Sequence, residues 1–266
     1  MKKSKQRIVV KVGTSTLTHD SGALDLRSME RLVRTLADLQ GAGNEVILVT
    51  SGTIAVGTAK LGLAERPKEL RMKQAAAAVG QCRMMHIYDK LFSEYNRTVA
   101  QILLTGDDVD DPNRAEHLSG TFSALLEMGT SPIVNENDSV SSAEIETGHH
   151  KVLGDNDTLS AIVAKLCRAD LLVLLSDIDG LYDADPRSHP DARLIHQVHE
   201  LTPEILEMAG GAGSWRGTGG MATKLSAAGI AMGAGCDMVI TNGKRTEDLY
   251  GIVEGADIGT RFLAAR

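Results

Sequence analysis

Short apolar runs rich in β-branched residues alternate along this chain with longer stretches whose apolar positions recur at helical spacing. Ile8-Val9-Val10-Lys11-Val12 reads as a first strand. Ser28 to Gln40 reads as a helix with Met29, Leu32, Val33, Leu36 and Leu39 on one face, ended by Gly41-Ala42-Gly43. Val46 to Thr50 is a second strand, Glu69 to Tyr95 is mostly helix, and Val99 to Leu104 is a third strand. A helix over Leu118 to Met128, a short strand at Ile133-Val134, a helix from Thr158 to Cys167 and the strand Leu171 to Leu175 continue the alternation. The last cycle is a helix from Thr223 to Met232 and the strand Met238 to Thr241, with Leu249 to Phe262 left to close the sheet. Strands that are apolar on both faces and separated by helices predict an α/β fold built on a mainly parallel sheet covered on both sides. Asp177 to Pro203 holds three of the six prolines and is the least regular stretch, expected to form a hairpin or lobe over the sheet. With no internal repeat or linker, residues 1–266 are expected to form one domain.

Composition narrows the partners. A hydrophobic content of 42% suffices for a sizeable core, whereas only 3% aromatics disfavours a β-sandwich and offers no stacking platform for single-stranded nucleic acid. The net charge of −7 argues against nucleic acid or any general polyanion as partner. An anionic ligand must then be met in a pocket by a few local cations and backbone N–H groups. The basic start, Met1 to Arg7, precedes only a brief apolar run, and no stretch reaches bilayer length, so neither leader nor membrane anchor is expected. Cys82, Cys167 and Cys236 lie far apart and read as reduced core residues of a cytoplasmic protein.

The candidate chemistry gathers at the carboxyl ends of the predicted strands, where open α/β sheets bind ligands. These ends read Lys11 with Gly13-Thr14-Ser15-Thr16, Thr50-Ser51-Gly52-Thr53, Asn135-Glu136-Asn137-Asp138, and Ser176-Asp177. Small residues let backbone N–H groups approach a phosphate, and a following helix N-terminus adds positive potential. Gly217-Thr218-Gly219-Gly220-Met221-Ala222-Thr223-Lys224 opens a helix and suits terminal phosphates, with Lys224 supplying a full charge; a flexible surface loop is the plainer reading of the same glycines. It is not a Walker A loop, and no GxGxxG follows the first strand, which opposes a nicotinamide-binding oxidoreductase. Lys11, flanked by valines, needs an anion if it is buried, or else lies on an edge strand and reaches water. Gly154-Asp155-Asn156-Asp157 precedes a helix that Asn156 or Asp157 would cap, yet it carries more acid than capping requires. His149-His150 reads as solvated, and His196 and His199 lack a third ligand for zinc.

These stretches, together with Ala78-Val79-Gly80-Gln81, Gln101-Ile102-Leu103-Leu104-Thr105, and Leu181-Tyr182 with Asp185-Pro186-Arg187, follow in order over nearly the whole chain. The set resembles the amino acid kinase family, and within it the members that phosphorylate the side-chain carboxylate of L-glutamate. The resemblance implies a three-layer α/β/α sandwich around a mainly parallel sheet, with ATP and glutamate meeting over its C-terminal edge. It implies that Lys11 and Lys224 stabilise the transferring phosphate and that Asp155 positions both. Ser51, Asp138 and Asn156 are implied to bind glutamate, with Asn135 and Asp157 nearby. Gly13, Ser176-Asp177 and Thr218 to Lys224 (Thr218, Gly219, Gly220, Met221, Ala222, Thr223, Lys224) are implied to bind the nucleotide. Mg2+ is expected to arrive with ATP, not on protein ligands.

The implied product, L-glutamyl 5-phosphate, opens proline biosynthesis and passes to a glutamyl phosphate reductase; a homo-oligomer is also implied. Acetylglutamate, aspartate or a nucleoside monophosphate is the substrate of the rival family members. A non-catalytic nucleotide sensor would lack one of Lys11, Asp155 or Lys224, and all are present. The sequence departs from the family in two places. Many members carry an RNA-modifying-enzyme-like (PUA) domain after the kinase domain, and none is expected in a sequence ending at Arg266. The segment Ile145 to Gly154 is longer than in compact members, with Lys151 matching their lysine.

Overall fold

A computed structural model describes residues 5–140, 155–208 and 220–265. Its strands are β1 (Arg7–Val12), β2 (Glu45–Val49), β3 (Val99–Leu104), β4 (Ser131–Glu136), β5 (Leu171–Ser176), β6 (Gln197–Val198), β7 (Asp237–Asn242) and β8 (Thr260–Phe262). The helices are α1 (Thr14–Leu17), α2 (Leu26–Gly41), α3 (Thr53–Lys60), α4 (Leu70–Ser93), α5 (Gly106–Asp110), α6 (Pro112–Glu127), α7 (Asn156–Cys167), α8 (Pro203–Met208), α9 (Met221–Gly233) and α10 (Asp248–Val253). All described strands join one sheet in the order β3-β4-β2-β1-β5-β7-β8-β6, parallel except where β8 runs against β7.

Side chains alternate across each strand, so β1 serves both layers. Val9 packs with Phe122 of α6, Leu159 and Val163 of α7, and Leu225 and Ala228 of α9. Ile8, Val10 and Val12 face the opposite layer, with Leu32 and Leu36 of α2, Met84, Tyr88 and Phe92 of α4, and Leu249 of α10. The result is the expected three-layer sandwich. Lys11 shares the side of Val9, which directs it toward α7 and α9. Because β1 is paired on both edges, by β2 and β5, the edge-strand alternative for Lys11 does not apply.

Helix α3, absent from the pattern reading, packs against α4 at backbone distance. A Cβ on Gly57 would fall 1.8 Å from Ala76 O, and one on Gly80 would fall 1.8 Å from Thr53 O. Only glycine permits that approach, which brings α4 beside the carboxyl ends of β2 and β4. Helix α6 begins six residues before its predicted start, at Pro112, because the Asp111 carboxylate accepts from Asn113 N and Arg114 N and proline suits the first helical position. In the proline-rich stretch Tyr182 and Leu194 form an antiparallel bridge before β6. Cys167 and Cys236 are buried, and burial pushes both thiols up to about 12. Cys82 is exposed on α4, contrary to its reading as a core residue. Among the described residues no helix is long and apolar enough to cross a membrane.

Candidate active site

The centre of the site is a carboxylate held between two ammonium groups. Asp157 Oδ1 lies 2.6 Å from Lys11 Nζ, and Asp157 Oδ2 lies 3.1 Å from Lys224 Nζ. The Asp157 side chain is 1% exposed, Lys224 7% and Lys11 12%. Burial alone would push the Asp157 carboxyl up, but the Lys11 and Lys224 charges outweigh it and hold the group below its ordinary value. Thr223 Oγ1 adds a bond to Asp157 Oδ2 at 3.1 Å, tying the first turn of α9 to α7. Three elements of distant sequence, β1, α7 and α9, thus converge on one carboxylate, and two ammonium groups share its single negative charge.

The carboxylate in that position is Asp157, not Asp155. Helix α7 starts at Asn156, two residues before its predicted start, so Asp155 becomes the N-cap in place of Asn156 or Asp157. Its Oδ1 accepts from Asp157 N at 2.7 Å and Thr158 N at 2.9 Å. Asp157 falls in the first helical turn and points into the interior. The expectation that Asp155 joins the two lysines is therefore corrected by the start of the helix.

Beside this cluster opens a cavity of about 410 Å³, lined by Lys11, Gly13, Thr14, Ser51, Gly52, Thr53, Arg66, Asp138, Asp155, Asn156 and Asp157, among others. Gly52 caps α3 with φ 98, a left-handed conformation suited to glycine, and a Cβ there would meet the Thr14 side chain at 3.1 Å. Ser51 Oγ donates to Val12 O at 3.3 Å and lies 3.3 Å from Thr14 Oγ1, so the β1 and β2 ends form one wall. Thr53 Oγ1 donates to Asp138 Oδ2 at 2.7 Å. Burial raises the Asp138 carboxyl above its ordinary value, although that bond and the Arg66 charge oppose the rise. Asn156 Nδ2 donates to Thr50 O at 2.8 Å and to Asn135 Oδ1 at 3.2 Å. Asn135 is buried behind Asn156 and does not line the cavity.

On the other flank, the register Val12↔Leu175 carries Gly13 alongside Ser176 where β1 and β5 end. Ser176 Oγ lies 3.2 Å from Asp177 Oδ1, and Arg187 Nη2 pairs with Asp177 Oδ2 at 3.3 Å. Gly220 caps α9, with Met221, Ala222 and Thr223 in its first turn. Of the residues singled out from the sequence, Gly154, Lys151, Gly217, Thr218, Gly219, His149 and His150 lie outside the described residues. The sequence reading assigned no individual role to Thr14, Thr53, Arg66, Gln81 or Asn242. Asn242 pairs with Ser176 across β5 and β7, so the strand-end rule applied to β7 would have found it. Among the described residues no group of three or more His, Cys, Asp or Glu could hold a metal ion.

Comparison with known proteins gives this geometry a context. The profile of the amino acid kinase family matches residues 6–242. The chain is 53% identical to a glutamate 5-kinase of Clostridium perfringens over 264 residues, covering 99% of this chain and 97% of that protein. It is 50% identical to a glutamate 5-kinase of Listeria monocytogenes, covering 99% and 95%. It is 53% identical to one of Caldanaerobacter subterraneus, covering 97% of this chain and 68% of that longer protein. Two solved structures share the fold at low identity. The carbamate kinase from Giardia lamblia bound to AMP-PNP has a TM-score of 0.68 at 16% identity, covering 100% of both chains. The T. acidophilum isopentenyl phosphate kinase product complex has a TM-score of 0.63 at 18% identity, covering 96% of this chain and 99% of that one.

Proposed function

This chain belongs to the amino acid kinase family, and on that premise we propose that it transfers the γ-phosphoryl group of ATP to the side-chain carboxylate of L-glutamate, giving L-glutamyl 5-phosphate for proline biosynthesis. The observation that carries the mechanism is the Lys11–Asp157–Lys224 cluster at the edge of an acid- and amide-lined cavity. The glutamate carboxylate is ionised at neutral pH and needs no general base. The obstacle is its repulsion from the γ-phosphate and the charge that spreads over the transferring group. Catalysis therefore rests on positioning and electrostatics.

In this reading Lys11 and Lys224 face the transferring phosphoryl group, and Asp157 holds their ammonium groups in register. Ser51, Asp138, Asp155 and Asn156 receive glutamate: the carboxylates and the Asn156 oxygen suit its ammonium. The raised Asp138 carboxyl ionises more readily once that cation is beside it. Gly13, Ser176-Asp177 and the stretch Thr218 to Lys224 receive ATP, which brings Mg2+ with it. An acyl phosphate hydrolyses readily in water, which favours handover to a glutamyl phosphate reductase.

The test is ADP release from Mg-ATP with a panel of acceptors, with hydroxylamine trapping the acyl phosphate as a hydroxamate. Turnover should be fastest with L-glutamate and much slower with N-acetylglutamate or L-aspartate. Equal or faster turnover of N-acetylglutamate or UMP would overturn the substrate assignment and leave the family intact.

A further inference from the structure

We infer that Arg66, in the loop 61–69 between α3 and α4, is a specificity-determining residue that receives the α-carboxylate of the acceptor amino acid. The inference rests on the proposed reading of the cavity as the glutamate site and fills a place which that reading leaves open. Glutamate brings three charged groups. Its side-chain carboxylate goes to the lysines, and its ammonium suits Asp138, Asp155 and Asn156. The α-carboxylate shares a carbon with the ammonium, so it needs a cation or donor close to those acids.

Among the described residues that line the cavity, Lys11 and Arg66 are the cations. Lys11 is engaged by Asp157 at 2.6 Å, at the phosphoryl end. Arg66 makes no ion pair with a described residue, yet its charge reaches Asp138 and opposes the rise of that carboxyl. A cation and a carboxylate that line one cavity, close enough to feel each other but not joined, match a ligand with opposite charges on one carbon. Arg66 is exposed, so its charge needs no protein partner to be stable. Its planar guanidinium offers paired N–H donors in the geometry of a carboxylate.

The local fold supports this placement. The close α3–α4 contact at Gly57 and Gly80 fixes both helices that the loop joins. Pro67 follows Arg66 and biases its backbone toward extended conformations. Thr53, Ile54 and Ala55, in the first turn of α3, line the same cavity, and no side chain caps that helix. Its positive end therefore adds to the potential that a carboxylate meets there.

The assay compares wild type with Arg66→Gln, which keeps a polar side chain and removes the charge, and with Arg66→Lys. It measures the KM values for L-glutamate and ATP, kcat, the urea midpoint, and the inhibition constants of two analogues. 4-Aminobutyrate lacks only the α-carboxylate of glutamate, and glutarate lacks only the amine. In Arg66→Gln the glutamate KM should rise about tenfold, the low end of what a hydrogen bond to a charged group is worth. The glutarate constant should rise with it, whereas the 4-aminobutyrate constant and the ATP KM should stay near wild type. The fall in kcat should be smaller than the rise in KM. The urea midpoint should not move, because the side chain replaced is exposed. Arg66→Lys keeps the charge without the paired donors and should recover part of the loss. An unchanged glutamate KM in Arg66→Gln, an equal rise in the 4-aminobutyrate constant, or no recovery in Arg66→Lys would overturn the inference. Absence of glutamate turnover by the wild-type protein would instead overturn the proposed function beneath it.

Discussion

Replacing Asp157 with asparagine removes one charge and almost no volume, and it separates the bridging carboxylate from its neighbours. The wild-type carboxylate presents an oxygen to each ammonium, at 2.6 Å to Lys11 and 3.1 Å to Lys224. A carboxamide in its place could offer one oxygen only, and its N–H2 group would face the other lysine donor to donor. Two nearly buried cations would then lack their counter-charge. Removing one partner of a buried ion pair typically costs about 3–5 kcal/mol. The low end, about 3 kcal/mol, applies here because Lys11, one of the two lysines, borders an open cavity. With a urea slope of about 3 kcal/mol/M, the midpoint should fall by about 1 M.

Saturating Mg-ATP should recover part of that loss, since its phosphates supply the missing negative charge. Catalysis should fare worse than stability: kcat should drop by about 10²–10³-fold, as when one preorganised group facing developing charge is lost. The KM for glutamate should change little. Urea unfolding with and without Mg-ATP, paired with steady-state kinetics, decides the matter. A variant with wild-type midpoint and wild-type kcat would refute the role of Asp157. So would a loss of midpoint that Mg-ATP deepens.

Asp155→Asn retains an oxygen for the α7 cap, so its stability should shift by less than about 1 kcal/mol, while its glutamate KM rises more than its kcat falls; a kcat loss as large as that of Asp157→Asn would restore Asp155 as the organiser. Asp138 has a raised folded-state pKa, so its contribution to stability is present below its unfolded value of 3.8 and lost as pH rises through the folded value. Asp138→Asn should therefore gain in urea midpoint over wild type at pH 7 and lose that advantage on acidification toward about pH 4; an advantage independent of pH would contradict the burial argument. Gly80→Ala places a methyl 1.8 Å from Thr53 O and should destabilise by about 1–3 kcal/mol, read by thermal unfolding. Near-neutral stability would mean that α3 and α4 can separate without strain.

The alternation of apolar strands and helices determined the layers without any structure. Ile8 to Val12 and Leu171 to Leu175 are apolar on both faces, and only a sheet covered on both sides accommodates such strands. The strand-end rule likewise made Lys11, Ser51, Asp138 and Ser176 legible, because the carboxyl edge of a parallel sheet is where loops and helix N-termini meet. Helix α3 escaped because Thr53 to Lys60 carries β-branched residues and Gly57, a poor helix by propensity. Its close contact with α4 supports it, and that contact is tertiary. The exchange of Asp155 for Asp157 has the same origin. Two carboxylates two residues apart look alike in sequence, but a helix that starts at Asn156 turns one into its cap and the other into the interior. Which carboxylate meets the lysines was decided by where α7, α9 and β1 converge, a relation among residues as far apart in the chain as Lys11 and Lys224.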